Sequence, residues 1–280
     1  MVILGIHTPE FEFEKDRDNV LKASVDDAIV WPVALDNDFR TWDAYNNKYW
    51  PAKYLIDKDG IIRYSHFGEG YYAETEREIR KLLEEAGADL TLDIELPTDQ
   101  VVDPGFLRAR KLTRELYGGY HRGCYSRYVF DIEDFCRSKD EVREYEEPGS
   151  NWVDDLIYLQ GPWRAGEESL QYAPDGAGGG FDDYLLLKFT ARTANAVLTP
   201  EEGGEPFKVL VTLDGLPLTE ENQGRDVVME DGQSYLLVDE PRLYSIVDAE
   251  EYGTYVLKMS SDSPHFALFA FTFGIYTEGI

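Results

Sequence analysis

Apolar and polar positions change rhythm along the chain. Residues 2–6 form a short, β-branched apolar run stopped by Thr8 and Pro9, the pattern of a buried parallel strand. Phe13, Val20, Leu21 and Val25 then fall among charges at broadly helical spacing. "IVWPVALDND" predicts a second short strand closed by an Asp-Asn-Asp turn, and "FRTWDAYN" a short helix. Residues 54–57 and 61–66 read as two strands joined by "DKDG", with Gly60 at the turn position that favours positive φ. "AETEREIRKLLEEAG" places Ile79, Leu82 and Leu83 on one stripe of a helix with an acidic start and a glycine stop at Gly87. The order is βα, a further strand and helix, then ββα, an α/β arrangement.

The rhythm turns to a two-residue period further on. Phe207, Val209, Val211 and Leu213 alternate with Lys208 and Thr212 before a turn at Asp214 and Gly215. "DYLLLKFTA", "SYLLVDEPRLYSIVD", "TYVLKMSS" and "HFALFAFTFG" add further short strands. From residue 152 the expectation is therefore all-β, an antiparallel β-sandwich of jelly-roll type. "PDGAGGG" has no following Lys-Ser/Thr and reads as a hairpin tip, not a phosphate loop. The acidic, turn-rich "DLTLDIELPTDQVVDPGF" reads as a linker, and residues 124–150 as a charged aromatic segment of no clear period. Three regions result: 1–90, a linker and irregular segment 91–151, and a sandwich 152–280.

A chain of 280 residues accommodates two such cores. Lys and Arg total 27 against 55 Asp and Glu, a formal charge of −28, which makes nucleic acid and anionic membrane surfaces poor partners. No apolar run approaches the roughly 20 residues needed to span a bilayer, and no basic, apolar signal segment is seen. The two cysteines, Cys124 and Cys136, are not spaced as C-x-x-C. Either they are joined, worth about 3 kcal/mol by loop entropy, or they are two packed thiols. With His121 they fall short of the four closely paired ligands of a structural zinc site, so no metal and no cofactor are expected. Trp163 and Tyr172 are candidates for a sugar-stacking platform, with edge or core packing the blander role.

"GIHTPEFEFEKD", "WPVALDND", "YWPAKYLIDKDG" and "RYSHFGEGYYAETE" resemble the thioredoxin-like domain of the DipZ/TlpA group of thiol–disulfide oxidoreductases. "TRELYGGYHRG", "LQGPW", "VDEPRLYSIV" and "AFTFG" resemble the DipZ-type C-terminal domain, a carbohydrate-binding-module-like sandwich. Arg114 stands where that family usually has Pro. The resemblance implies an incomplete thioredoxin-like fold followed by the jelly roll, protein thiols and disulfides as partners, and an extracytoplasmic location. It assigns Trp50 and Pro51 to the cis-proline loop that holds substrate backbone, and puts His7 near the family's site.

In that family a strand and a C-x-x-C helix precede the "GIHTPEF" strand; the helix N-terminus stabilises the attacking thiolate and the second cysteine resolves the mixed disulfide. The chain as given starts one strand past that unit. The expectation is a protein represented without its reactive segment, hence redox-inactive as given and a fragment before it is a complete product. Otherwise the strands at residues 2–6 and 54–57 close on each other, or another chain supplies the missing one. The alternative function is a non-catalytic binding protein whose sandwich recognises a glycan or a partner protein; a peroxiredoxin-type peroxidase comes third.

Overall fold

The computed structural model describes residues 1–90, 95–97, 111–130, 132–174, 180–200 and 205–275. The linker reading of residues 89–106 and the hairpin-tip reading of 174–180 fall largely outside them. The chain divides into two compact units, Met1–Pro104 and Gly105–Ile280.

The first unit holds β1 (Gly5–His7), a 3-10 turn (Glu12–Lys15), α1 (Arg17–Asp26), β2 (Val33–Leu35), α2 (Arg40–Ala44), β3 (Ala52–Ile56), β4 (Ile62–Phe67) and α3 (Tyr72–Glu85). Local chemistry accounts for most boundaries. Asp16 caps α1 by accepting the Asp18 N–H at 2.7 Å. The β3–β4 turn closes because Asp57 accepts the N–H groups of Asp59 and Ile61 while Gly60 takes φ +81°. α3 ends in a Schellman pair: the Ala88 N–H bonds to the Leu83 carbonyl and the Gly87 N–H to that of Glu84, with Gly87 at φ +88°.

The sheet of this unit is split. β1 pairs in parallel with β2, β3 pairs antiparallel with β4, and the two ladders form separate two-stranded sheets. The strand expected at residues 2–6 is ordered only over Gly5–His7, and Val2, Ile3 and Leu4 are exposed. β1 and β3 have not closed on each other. Among the described residues of this unit the buried hydrophobic side chains are Phe11 and Ala73, while Ile6, Leu35, Ile56 and Ile62 stay open. Isolated two-stranded ladders are marginal in water, so little apolar burial supports this unit.

The second unit is β-rich. β5 (Leu116–Tyr117), α4 (Tyr120–Ser126), α5 (Ile132–Arg137) and β6 (Val142–Tyr145) precede β7 (Ile157–Ala165), β8 (Leu170–Tyr172), β9 (Tyr184–Thr199), β10 (Phe207–Leu213), β11 (Leu216–Pro217), β12 (Val227–Glu230), β13 (Gln233–Val238), β14 (Arg242–Ser260) and β15 (Ala267–Gly274). Among the described residues, these eleven strands belong to one hydrogen-bonded sheet. β9 pairs with β14 along nearly its whole length, with register shifts after Ser245 and Asp248. Along the sheet β7 pairs β8, β8 pairs β15, β15 pairs β9 and β9 pairs β7, closing a ring. Phe207, Val209, Val211 and Leu213 face inward, as their alternation requires, and share the core with Phe135, Ile157, Trp163, Tyr244 and Phe271.

The irregular segment expected over 91–151 needs correction from Thr113 onward. The Thr113 hydroxyl accepts the Thr190 N–H, β5 pairs with β15, and Leu116 and Phe135 are fully buried. Gly118 and Gly119 permit this docking: an added Cβ would lie 2.4 Å from the Leu268 carbonyl oxygen and 2.2 Å from the Glu168 carbonyl carbon, respectively. The described residues between Thr113 and Tyr145 are a structural layer of the second unit.

Candidate functional site

The sequence-assigned residues of the first unit converge on one turn. The Trp50–Pro51 peptide bond is cis, and Trp50 is half-exposed. The Trp50 indole N–H donates to the Thr8 carbonyl at 3.2 Å, and its ring lies 4.3 Å from that of Trp42. Behind this pair sits Asp36, which accepts the N–H groups of Thr41 and Trp42 at 2.8 and 2.9 Å and the Thr8 hydroxyl at 3.3 Å. One carboxylate thus caps α2 and ties the end of β1 to the helix that carries Trp42. Burial pushes the Asp36 carboxyl up, but the Thr41 and Trp42 N–H groups outweigh it and hold it below the usual range. On the other side Asn47, buried, donates to the Tyr49 carbonyl and accepts from the Tyr54 hydroxyl, and the Gly68 N–H caps the Pro51 carbonyl at 2.8 Å.

His7 lies one residue from Thr8, but its ring is engaged elsewhere: Nε2 is 2.9 Å from the Glu14 carbonyl, the spacing of an N–H donated to it. Burial pushes the Glu14 carboxyl above its ordinary value against the Glu10 N–H, which bonds it at 2.6 Å. The supporting set of Thr8, Asp36, Trp42 and Asn47 was missed by sequence reasoning. Only Asp36 carried a readable signal, an aspartate a few residues ahead of a short helical pattern. The arrangement offers an exposed aromatic–proline edge with its backbone fixed, and the cysteines of the chain both lie in the second unit.

There, Cys124 on α4 and Cys136 on α5 form a disulfide with Cα atoms 5.7 Å apart. His121 is exposed and the bonded pair is half-buried; among the described residues no group of three His, Cys, Asp or Glu is placed to hold a metal ion. Trp163 and Tyr172 pack against each other at 5.4 Å, both within 2% of full burial, so neither presents a face to a sugar ring. The platform on which a glycan-binding role was to rest does not exist at these two residues. Among the described residues no helix is long and apolar enough to cross a membrane.

An α/β unit with an aromatic–proline turn beside a split sheet, followed by a large β-rich unit, defines a thioredoxin-type chain with an appended β domain. Residues 113–274 match the family described as thioredoxin-like C-terminal domain, and the chain belongs to that family. It is similar to protein DipZ of Mycobacterium tuberculosis, 42% identical over 119 residues, which are 42% of this chain and 17% of DipZ. It is also similar to the thiol-disulfide oxidoreductase YkuV of Bacillus subtilis, 28% identical over 83 residues, 30% of this chain and 56% of that protein. NHL repeat-containing protein 2 of Homo sapiens is 30% identical over 71 residues, 25% of this chain and 10% of that one. The chain is thus a DipZ/TlpA-like thioredoxin-family protein, and it spans about a sixth of DipZ and just over half of YkuV.

Proposed function

We propose that this chain is the substrate-holding part of a thiol–disulfide exchange protein acting on protein thiols, its chemistry supplied by a cysteine-bearing strand and helix seated between β1 and β3. The observation that carries this reading is the split sheet: β1–β2 and β3–β4 are separate ladders with Ile6, Leu35 and Ile56 exposed. In the proposed arrangement an added strand pairs with β1 and β3 while its helix covers apolar side chains of the sheet face. The similarity to DipZ and YkuV supports the reaction class. In it, Trp50 and Pro51 hold the substrate backbone, the role implied by the resemblance, and Thr8 and Trp42 fix the pair in place. The first unit, having no thiol of its own, is inert in exchange without the added element. The second unit is read as a jelly-roll sandwich, supported by its antiparallel pairing and inward alternation.

The test uses the full chain with Cys124 and Cys136 both changed to Ser, so that the first unit is read alone. Insulin reduction driven by dithiothreitol is expected at background. Joining a strand–helix element bearing C-x-x-C ahead of Met1 should restore exchange and raise the melting temperature together. Gain of neither, or of stability without exchange, overturns the reading.

A further inference from the structure

We infer that the Cys124–Cys136 disulfide is an exchange site in its own right, taking electrons from a protein dithiol, with Cys136 the sulfur attacked and Cys124 the thiolate released. This is independent of the role proposed for the first unit. Three observations carry it.

The bond is accessible: both cysteines are half-buried at the edge of the core, and Tyr125, next to Cys124, is 92% exposed. The segment does not depend on the bond for its place. Before it, the N–H groups of Tyr120 and His121 bond to the carbonyls of Gly166 and Glu167. Between the helices, the Tyr128 carbonyl accepts the Ile157 N–H and the Phe130 N–H donates back to Ile157. After it, the Asp140 N–H bonds to the Ala165 carbonyl, and Phe135 is fully buried. The bond therefore opens without releasing α4 or α5. The two sulfurs also differ in surroundings. Within three residues along the chain Cys124 has Arg122 and Arg127 and no acid, whereas Cys136 has Glu133 and Asp134 against Arg137 and Lys139, with Glu133 paired to Arg137 at 3.2 Å. A cationic neighbourhood lowers a thiol pKa, and the lower-pKa thiol leaves faster.

A partner thiolate attacks Sγ of Cys136; a partner S–Sγ bond forms as the Sγ–Sγ bond breaks, and the electron pair goes to Cys124. The partner's second thiolate then attacks its own mixed-disulfide sulfur, forming the partner's disulfide and releasing Cys136. Two electrons and two protons pass from the partner dithiol to the cysteine pair.

The experiment treats the oxidised full chain, without denaturant, with a thioredoxin whose resolving cysteine is Ser, then alkylates and maps the trapped mixed disulfide by mass spectrometry. Attachment at Cys136 in at least about fivefold excess over Cys124 is expected. Dithiothreitol should reduce the pair with near-ultraviolet circular dichroism retained, and about threefold more slowly in Arg127→Gln. Reduction only in denaturant, loss of the native spectrum on reduction, equal attachment at both cysteines, or an unchanged rate in the Arg127 variant would each overturn the inference.

Discussion

Asp36 shows how much a single side chain settles in the first unit. It satisfies two of the otherwise unpaired N–H groups of α2 and reaches Thr8, whose carbonyl holds Trp50. Asp36→Ala is expected to cost about 1–2 kcal/mol of local stability, the usual worth of such a cap, and to loosen Trp42 against Trp50. Because the folded carboxyl titrates below its unfolded value of about 3.9, its contribution is complete above that pH and is lost as pH falls through the lower folded value. The Thr41 and Trp42 amide resonances should therefore shift with Asp36 on acidification. In Asp36→Asn that titration disappears; its persistence would assign it to another group.

At the scale of elements, the connection from β5 to α4 is set by two glycines with backbone against their α-carbons. Gly119→Ala would place a methyl carbon 2.2–2.5 Å from the Glu167–Glu168 backbone, which cannot rotate away as a side chain can. The expected outcome is a loss of at least about 2 kcal/mol, seen as a lowered urea midpoint of the second unit. A neutral result would mean that this backbone yields. Helices and turns with local signals were legible: the α3 stop at Gly87, the Asp57–Gly60 turn and the inward set of β10 all follow from neighbours within a few residues. The layer from Thr113 to Tyr145 was not, because its partners, Thr190, Ala165 and Ala270, lie far along the chain and leave no period in the segment itself.

For the whole molecule, apolar burial is divided unequally. The second unit buries a continuous core with Trp163, Phe189, Tyr244 and Phe271, while the first buries Phe11 and Ala73 among its described residues. Amide hydrogen exchange should register this directly: β9 and β14 protected to the level of global unfolding, β1 to β4 exchanging by local opening at far lower free energy. Equal protection in the two units would show that the ladders are held by something other than their own side chains. At a net charge of −28, added salt should also raise the melting temperature by screening self-repulsion.

The sequence alone determined the type and order of most elements, the acidic charge, the family resemblance and the identity of the aromatic–proline turn, since each rests on local spacing or local chemistry. Tertiary structure alone decided what depends on distant contacts. It joined Cys124 to Cys136, which spacing had left open, and buried Trp163 and Tyr172, whose composition suited an exposed platform equally well. It brought Thr8 to Trp50 across 42 positions of sequence, and Asp36 to Thr8 across 28. It also left β1 and β3 in separate ladders. Strand periodicity says which face of a strand is apolar, but a strand's neighbour is chosen by backbone hydrogen bonds that only the assembled sheet provides.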